Sequence, residues 1–181
     1  MIISAGRNEI FDFALPMGVG LMDMSINLTK FLCENRQSLP SEIIFVGSAG
    51  LYKEGKILKI YESRSAVNCE ISALYELSYS PISYEIAARN STNVSYETIT
   101  NSSNFITTDK KSALKFFERG YFLENMEFFA VLKVAQKFQI PAYGIFCATN
   151  FCDSNAHADF LKNHAAAKEN LTKYLKTKAL I

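Results

Sequence analysis

Apolar positions along the chain fall into short unbroken runs and longer stretches with helical spacing. Ile2 and Ile3 open a strand that breaks at Gly6, and Ile10 to Leu15 reads as a second strand ending at Pro16. After the turn Gly18-Val19-Gly20, residues Leu21, Met24, Leu28, Phe31 and Leu32 recur at steps of one helix face, which predicts a helix to about Arg36. Ile43 to Val46 is a continuous apolar run, as expected of a strand covered on both faces, and it ends in Gly47-Ser48-Ala49-Gly50. Ile57 to Tyr61 predicts a further strand and Ser65 to Leu77 a helix. The stretch Ser78 to Ser103 is polar and rich in Ser, Thr and Asn, with a strand near Ser95 to Ile99 and a short one over Asn104 to Thr107. Asp109 to Arg119 predicts a helix with Thr108 or Asp109 as its N-cap and Gly120 closing it. Leu123 to Phe138 predicts a central helix, Ala142 to Cys147 a buried strand and Ala156 to Lys178 a last helix. Strands alternate with helices, so the class is α/β with a parallel or mixed sheet.

Composition narrows the choice. A chain of 181 residues without repeat or linker is most simply one domain, 1–181. Hydrophobic residues are 49% and charged residues 20%, which is globular and not disordered. A net charge of +1 without a basic stripe argues against nucleic acid as partner. The start MIISAGRNE lacks the pattern of a signal peptide, and no apolar run is long enough for a membrane helix. The expectation is a cytoplasmic protein with no membrane partner. Cys33, Cys69, Cys147 and Cys152 form no CxxC pair and only two histidines exist, so no metal is expected and the thiols read as reduced. In a cytoplasmic chain the N-x-S/T triplets at Asn27, Asn90, Asn93, Asn101 and Asn170 are chance matches.

The candidate chemistry lies mostly in Glu124 to Asp153. Ala130, Val131, Val134 and Phe138 place Glu127 on the apolar face of the predicted central helix. A carboxylate there costs several kcal/mol unless it is paired or bound. The other reading is an ordinary acid near a helix start, stabilised by the dipole. The strand after Pro141 ends in Ala148-Thr149-Asn150, and polar residues past such strand ends are where open α/β sheets hold ligands. Gly47 to Gly50 could form a backbone nest, although such turns are also frequent strand exits. The full phosphate-loop and dinucleotide motifs are absent, so no nucleotide cofactor is expected. Glu9 after the first strand reads as a surface carboxylate, and His157 with His164, seven residues apart and able to share a helix face, as surface or packing residues, since a metal site needs a third ligand. The phenylalanines Phe116, Phe117, Phe128 and Phe129 read as core.

In order along the chain, these pieces resemble the purine nucleoside phosphorylase and nucleosidase superfamily, and most of all its methylthioadenosine/adenosylhomocysteine nucleosidase branch. Ile2 to Glu9 looks like that branch's opening strand and acid-bearing loop, and Gly18-Val19-Gly20 like its Gly-Ile-Gly turn. Val46 to Gly50 is similar to its Gly-Ser-Ala-Gly segment, Asn104-Phe105-Ile106 to its base-stacking segment and Asn125-Met126-Glu127 to its Glu-Met-Glu motif. Thr149 to Asp153, followed by His157, runs along its Ser-Asp-x-x-Asp…His segment. The likeness covers the chain except Leu51 to Asn101.

The resemblance implies a three-layer nucleoside phosphorylase-like fold, with a central mixed sheet flanked by helices, in a shortened member. It implies cleavage of the N-glycosidic bond of a purine nucleoside. Glu9 would activate the attacking water, with Ser48 helping to hold it; Met126 and Glu127 would hold the ribose. Phe105 and Ile106 would hold the base, and Asn150 would meet it near N7. No cofactor is implied, and a homodimer or higher homo-oligomer is.

Three departures refine the expectation. Asn150 stands where the nucleosidase acid is Asp, and an amide is no general acid, which points to 6-oxopurines or weak activity. Phe45 stands where hexameric phosphorylases carry an arginine, which favours water over phosphate. Arg7 is the alternative phosphate ligand, and phosphate would then be the co-substrate of a phosphorylase. The segment between Glu9 and Phe13 lacks a hairpin-sized insert that the superfamily carries there. With Asn125 for the first Glu of Glu-Met-Glu, this keeps a catalytically silent nucleoside-binding protein as a third reading.

Overall fold

The computed structural model describes residues 1–88 and 97–181. Ser95 and Tyr96, where the strand expected over Ser95 to Ile99 would begin, lie outside the described residues, as do Asn90 and Asn93.

Among the described residues, eight strands form one mixed sheet. They are β1 (Ile2–Ser4), β2 (Leu15–Pro16), β3 (Ile43–Leu51), β4 (Ile60–Val67), β5 (Glu85–Ala87), β6 (Glu97–Ser102), β7 (Leu123–Asn125) and β8 (Ala142–Phe151). The helices are α1 (Gly20–Glu34), α2 (Ile71–Leu74), α3 (Lys110–Glu118), α4 (Phe128–Phe138) and α5 (Ala156–Thr177). β1 lies between β2 and β3, parallel to both. β8 lies between β3, to which it is parallel, and β4, to which it is antiparallel. β3 also pairs with β7, β7 with β6 and β6 with β4, so five strands close into a ring. β5 is added outside it on β4.

The two long apolar runs are explained by the layers. In β3, Ile43 and Phe45 face the core under α1 and α4, while Ile44 and Val46 face α5. In β8, Phe146 and Ala148 join the first core and Tyr143, Ile145 and Cys147 the second. A strand with helices on both faces needs apolar residues at every position. α1 contributes Met24, Leu28 and Leu32, fully buried, each worth about 1.5–3 kcal/mol of burial. α5 contributes Ala167, Leu171 and Leu175 at four-residue steps. A third cluster, with Tyr52, Leu74, Phe116 and Cys152, sits under α2 and α3.

Several expected elements differ. Residues 10–14 form a turn closed by the Ala14 N–H on the Phe11 carbonyl, and only Leu15–Pro16 pairs with β1; proline fits this outermost strand. The strand expected over Ile57 to Tyr61 begins at Ile60 and runs on to Val67, into the segment expected to be helical. Only Ile71–Leu74 stays helical, because Ala66 and Val67 are held by ladders to β5 and β6. Asn104 to Thr107 is not a strand; the Phe105 and Thr107 amides donate to the side chains of Ser103 and Glu124 instead. The central helix splits, since Leu123–Asn125 pairs with β3 and β6 before α4 starts. Gly47 to Gly50 is no exit turn but part of β3, with a register shift at Ala49/Gly50. Asn150 is likewise inside β8 and not beyond its end.

Candidate active site

One cavity of about 360 Å³ opens between the C-terminal parts of β3 and β8, the β1–β2 loop and the starts of α1, α4 and α5. That volume is within the range of small-molecule sites, about 300–1,000 Å³. Arg7, Glu9, Ser48, Ile106, Met126, Glu127 and Asn150, all expected from the sequence, line it together. Phe105 does not; its ring is 74% exposed, outside the lining.

Glu9 is aimed by a tight turn. The Glu9 N–H donates to the Gly6 carbonyl at 2.9 Å, with Gly6 and Arg7 both at positive φ, so the chain folds back toward β3. Glu9 Oε1 then accepts the Ser48 backbone N–H at 2.7 Å and a short hydrogen bond from the Ser48 hydroxyl. The side chain is half-buried over its length, but its carboxyl is directed inward, and burial pushes its pKa up against the lowering effect of Ser48.

Glu127 precedes α4 instead of lying on its apolar face. Asn125 Oδ1 accepts the N–H groups of Glu127 and Phe128 at 2.8 and 2.9 Å, and the Ser102 hydroxyl accepts that of Phe129 at 3.0 Å. These partners satisfy the helix start and free the Glu127 carboxylate to reach across to α1. There its Oε1 accepts the Gly20 N–H at 2.9 Å, at the positive end of α1. Gly20 sits at φ +83°, and a Cβ on it would lie 2.8 Å from Asn104 Oδ1, so this approach needs glycine. Burial first, and then the nearby Glu9, push the Glu127 carboxyl up to about 7. Two carboxyl groups that share one cavity resist ionising together, so the pair holds a proton near neutral pH. Asn125 Nδ2 also donates to the Ser48 carbonyl at 3.2 Å, tying the two halves of this acid pair together.

Asn150 lies on β8 directly opposite Gly50 of β3. Its Oδ1 accepts from the Thr149 hydroxyl at 2.9 Å and its Nδ2 donates to the Phe151 carbonyl at 3.0 Å. An amide has one further acceptor site and one further N–H, so both ends keep capacity for a ligand. Phe45, which took the place of a phosphorylase arginine, is fully buried against Phe128 and Phe146. His157 and Phe160 of α5 complete the wall, with the two rings stacked at 6.5 Å.

Sequence reasoning missed Glu124. It is buried, lines the same cavity, and accepts four hydrogen bonds. Oε1 accepts the Thr107 N–H at 2.9 Å and the Cys152 thiol at 3.7 Å; Oε2 accepts the Thr107 hydroxyl at 2.5 Å and the Tyr52 hydroxyl at 3.0 Å. The signal was a second acid three residues before Glu127 in an apolar stretch, hidden by reading both on one helix.

No family model matches the chain, and no curated protein matches it at a significant level. Solved structures do. A futalosine hydrolase mutant of Helicobacter pylori superposes with a TM-score of 0.79 at 17% identity, covering 97% of this chain and 95% of that one. An aspartate-to-asparagine mutant of the Helicobacter pylori 5′-methylthioadenosine nucleosidase, with 5′-methylthioadenosine in its active site, gives 0.79 at 18% identity over the same shares. The 5′-methylthioadenosine/S-adenosylhomocysteine nucleosidase of S. pneumoniae, with a transition-state inhibitor, gives 0.75 at 12% identity, covering 96% and 95%. The chain therefore has the three-layer fold of the nucleoside phosphorylase and nucleosidase superfamily. Within that fold, the structures it is similar to are nucleosidases and a futalosine hydrolase.

Proposed function

We propose that the chain hydrolyses the N-glycosidic bond of a purine nucleoside. The observation that carries this reading is the pair of carboxyl groups in one cavity, Glu9 held on Ser48 and Glu127 held on the start of α1. Breaking such a bond passes through an oxocarbenium-like sugar. Glu9 accepts a proton from water as it attacks the anomeric carbon, and Ser48 orients Glu9. Glu127, which keeps the shared proton while Glu9 is ionised, holds the ribose hydroxyls beside Met126. Ile106 and Asn150 receive the base, and Phe105 stacks on it by turning inward from the exposed position. The free N–H and lone pair of the Asn150 amide suit the N7 and 6-oxo edge of a hypoxanthine or guanine. No cofactor is needed beyond water.

Water is favoured over phosphate because the buried Phe45 removes one cation, and because the similar structures carry the names of hydrolases. Phosphorolysis is supported by a single observation, Arg7 at the cavity. Base release from inosine, guanosine, adenosine and methylthioadenosine, with and without phosphate, decides between them. Release without phosphate supports the hydrolase; release only with phosphate moves the assignment to phosphorolysis and Arg7; no release from any of them favours a binding protein. Asn150→Asp should move the preference toward adenine nucleosides, and an unchanged ranking of substrates would remove the role given to Asn150. The chain also reads as a homodimer or higher oligomer. Met22 and Ile26, one turn apart on α1, are 66% and 58% exposed and offer an apolar face, which sedimentation would test.

A further inference from the structure

Asn150 leaves the proposed reaction short of one component, because a departing purine must be protonated and an amide cannot supply the proton. The geometry points to Glu124 as the acid that protonates the leaving base. This inference rests on the hydrolase reading above.

Gly50 is the centre of the argument. It pairs with Glu124 of β7 on one side and with Asn150 of β8 on the other. Residues directly opposite in a ladder project to the same face, so both side chains rise on the side where Gly50 has none. A Cβ on Gly50 would meet Asn150 Nδ2 at 3.0 Å and Cys152 Sγ at 2.8 Å, and that sulfur is 3.7 Å from Glu124 Oε1. The amide, the thiol and the carboxyl thus gather over one backbone position. Glu124 and Asn150 both line the cavity, as does Ile106, next to the Thr107 that Glu124 binds.

Each Glu124 oxygen already accepts two hydrogen bonds, so delivery of its proton requires the Cys152 thiol, at 3.7 Å the longest of the four contacts, to turn away from Oε1. Burial favours its neutral form before the reaction and raises its pKa, while Thr107, Tyr52 and Cys152 act in the opposite direction. Asn101 Nδ2 donates to Tyr52 Oη at 2.9 Å, which turns the Tyr52 hydroxyl proton toward Glu124 Oε2. The Thr107 backbone N–H can only donate. The carboxylate formed on proton loss therefore meets donors already in place, and they strengthen as charge develops. The titratable groups facing Glu124 are Tyr52 and Cys152, both with pKa values pushed well above their ordinary range by burial, so both stay neutral.

The step balances. The C1′–N bond breaks with its electron pair going to the base, and the Glu124 proton adds to a base nitrogen. Water forms the new C1′–O bond and gives one proton to Glu9. The products are free base and ribose, with Glu124 ionised and Glu9 protonated; return of that proton through solvent resets both acids.

The test compares two substrates across pH. Inosine needs a proton on its leaving group, whereas para-nitrophenyl riboside releases a phenolate without one. Glu124→Gln should lower kcat on inosine by about 10²- to 10⁴-fold, remove the limb of the pH profile due to the acid, and leave the phenolate substrate within about threefold. Glu124→Asp should restore part of the inosine rate, and Glu124→Gln in an Asn150→Asp background should cost far less, since a second acid is then present. Equal losses on both substrates would make Glu124 a structural residue and overturn the inference. A change in KM alone would overturn it too, leaving Glu124 as a hydrogen-bond acceptor for the base. Wild-type protein that cleaves the phenolate substrate but not inosine would retain the hydrolase and refute the acid. Protein that cleaves neither would refute the hydrolase reading itself, and the role of Glu124 with it.

Discussion

The two ends of the cavity are built differently. At the proposed sugar end, Glu9, Ser48 and Glu127 are held by backbone N–H groups and by Asn125, on strands and helix starts that carry the core. At the proposed base end, Asn150 and Glu124 are fixed, but Phe105 and Ile106 sit on a segment with no ladder of its own, 74% and 49% exposed. That segment is pinned where Asn104 Oδ1 accepts the Leu21 N–H at 2.9 Å, where the Phe105 N–H meets the Ser103 hydroxyl and where Thr107 meets Glu124. The groups that would act on the bond are placed before a ligand arrives, whereas part of the base contact must form with it. Pre-placed groups contribute to rate and groups ordered on binding contribute to affinity.

The strongest way to break the contrast is Glu9→Gln. It should lower kcat by about 10²- to 10⁴-fold with KM little changed, as for a general base, and steady-state rates on inosine check it. A loss confined to KM would remove the sugar end from the chemistry.

A smaller effect is expected in stability against pH. Glu127 is held near 7 when folded and has the ordinary value of 4.5 when unfolded. The folded state therefore keeps a proton that the unfolded chain releases, so stability falls as pH rises from about 4.5 to about 7, by roughly 3 kcal/mol at full ionisation. Glu9, facing Glu127, is shifted in the same direction and adds to the slope. Urea unfolding at both ends of that window should show the decline, and Glu127→Gln should flatten it. An unchanged slope in the variant would place the strain elsewhere.

The smallest effect belongs to the base end. Phe105→Ala should leave the unfolding midpoint unchanged, because the ring is exposed, while loss of base stacking worth about 1–3 kcal/mol raises KM about tenfold. A loss of stability instead would show that the ring packs against the protein and not the substrate.

Much of this architecture was readable because the strands under the site are covered on both faces. Ile43 to Val46 and Ala142 to Cys147 have no polar interruption, so both appear as runs, and α1 and α5 show their buried stripes at three- and four-residue steps. What was not readable depended on partners distant in sequence. Glu127 continues the spacing of Ala130, Val131 and Val134, and only the pairing of Leu123–Asn125 with β3 and β6 stops the helix short of it. Gly47 to Gly50 looked like a loop because small residues usually end strands; here Gly50 makes room for Cys152 and Asn150, and Gly47 for Glu9. Glu124 showed locally only as a second acid near Glu127, and what buries it comes from donors distant in sequence, residues 52, 107 and 152. The resemblance picked out Glu9, Ser48, Asn150 and Glu127, which the structure brings to one cavity, and it did not pick out Glu124.

The insertion of β8 between β3 and β4 has a consequence for synthesis of the chain. β3 and β4 are consecutive in sequence, yet they never pair with each other, and the place between them belongs to residues 142–151. Until that segment leaves the ribosome, both neighbours present unpaired backbone edges, the kind of surface that recruits strands from other chains. The nascent protein must keep this gap open while about three-quarters of it is already made, a delay that long-range strand pairing makes slow to end. Asn150 arrives with the strand that closes the gap, and α5, the next element, then adds His157 and Phe160 to the cavity wall.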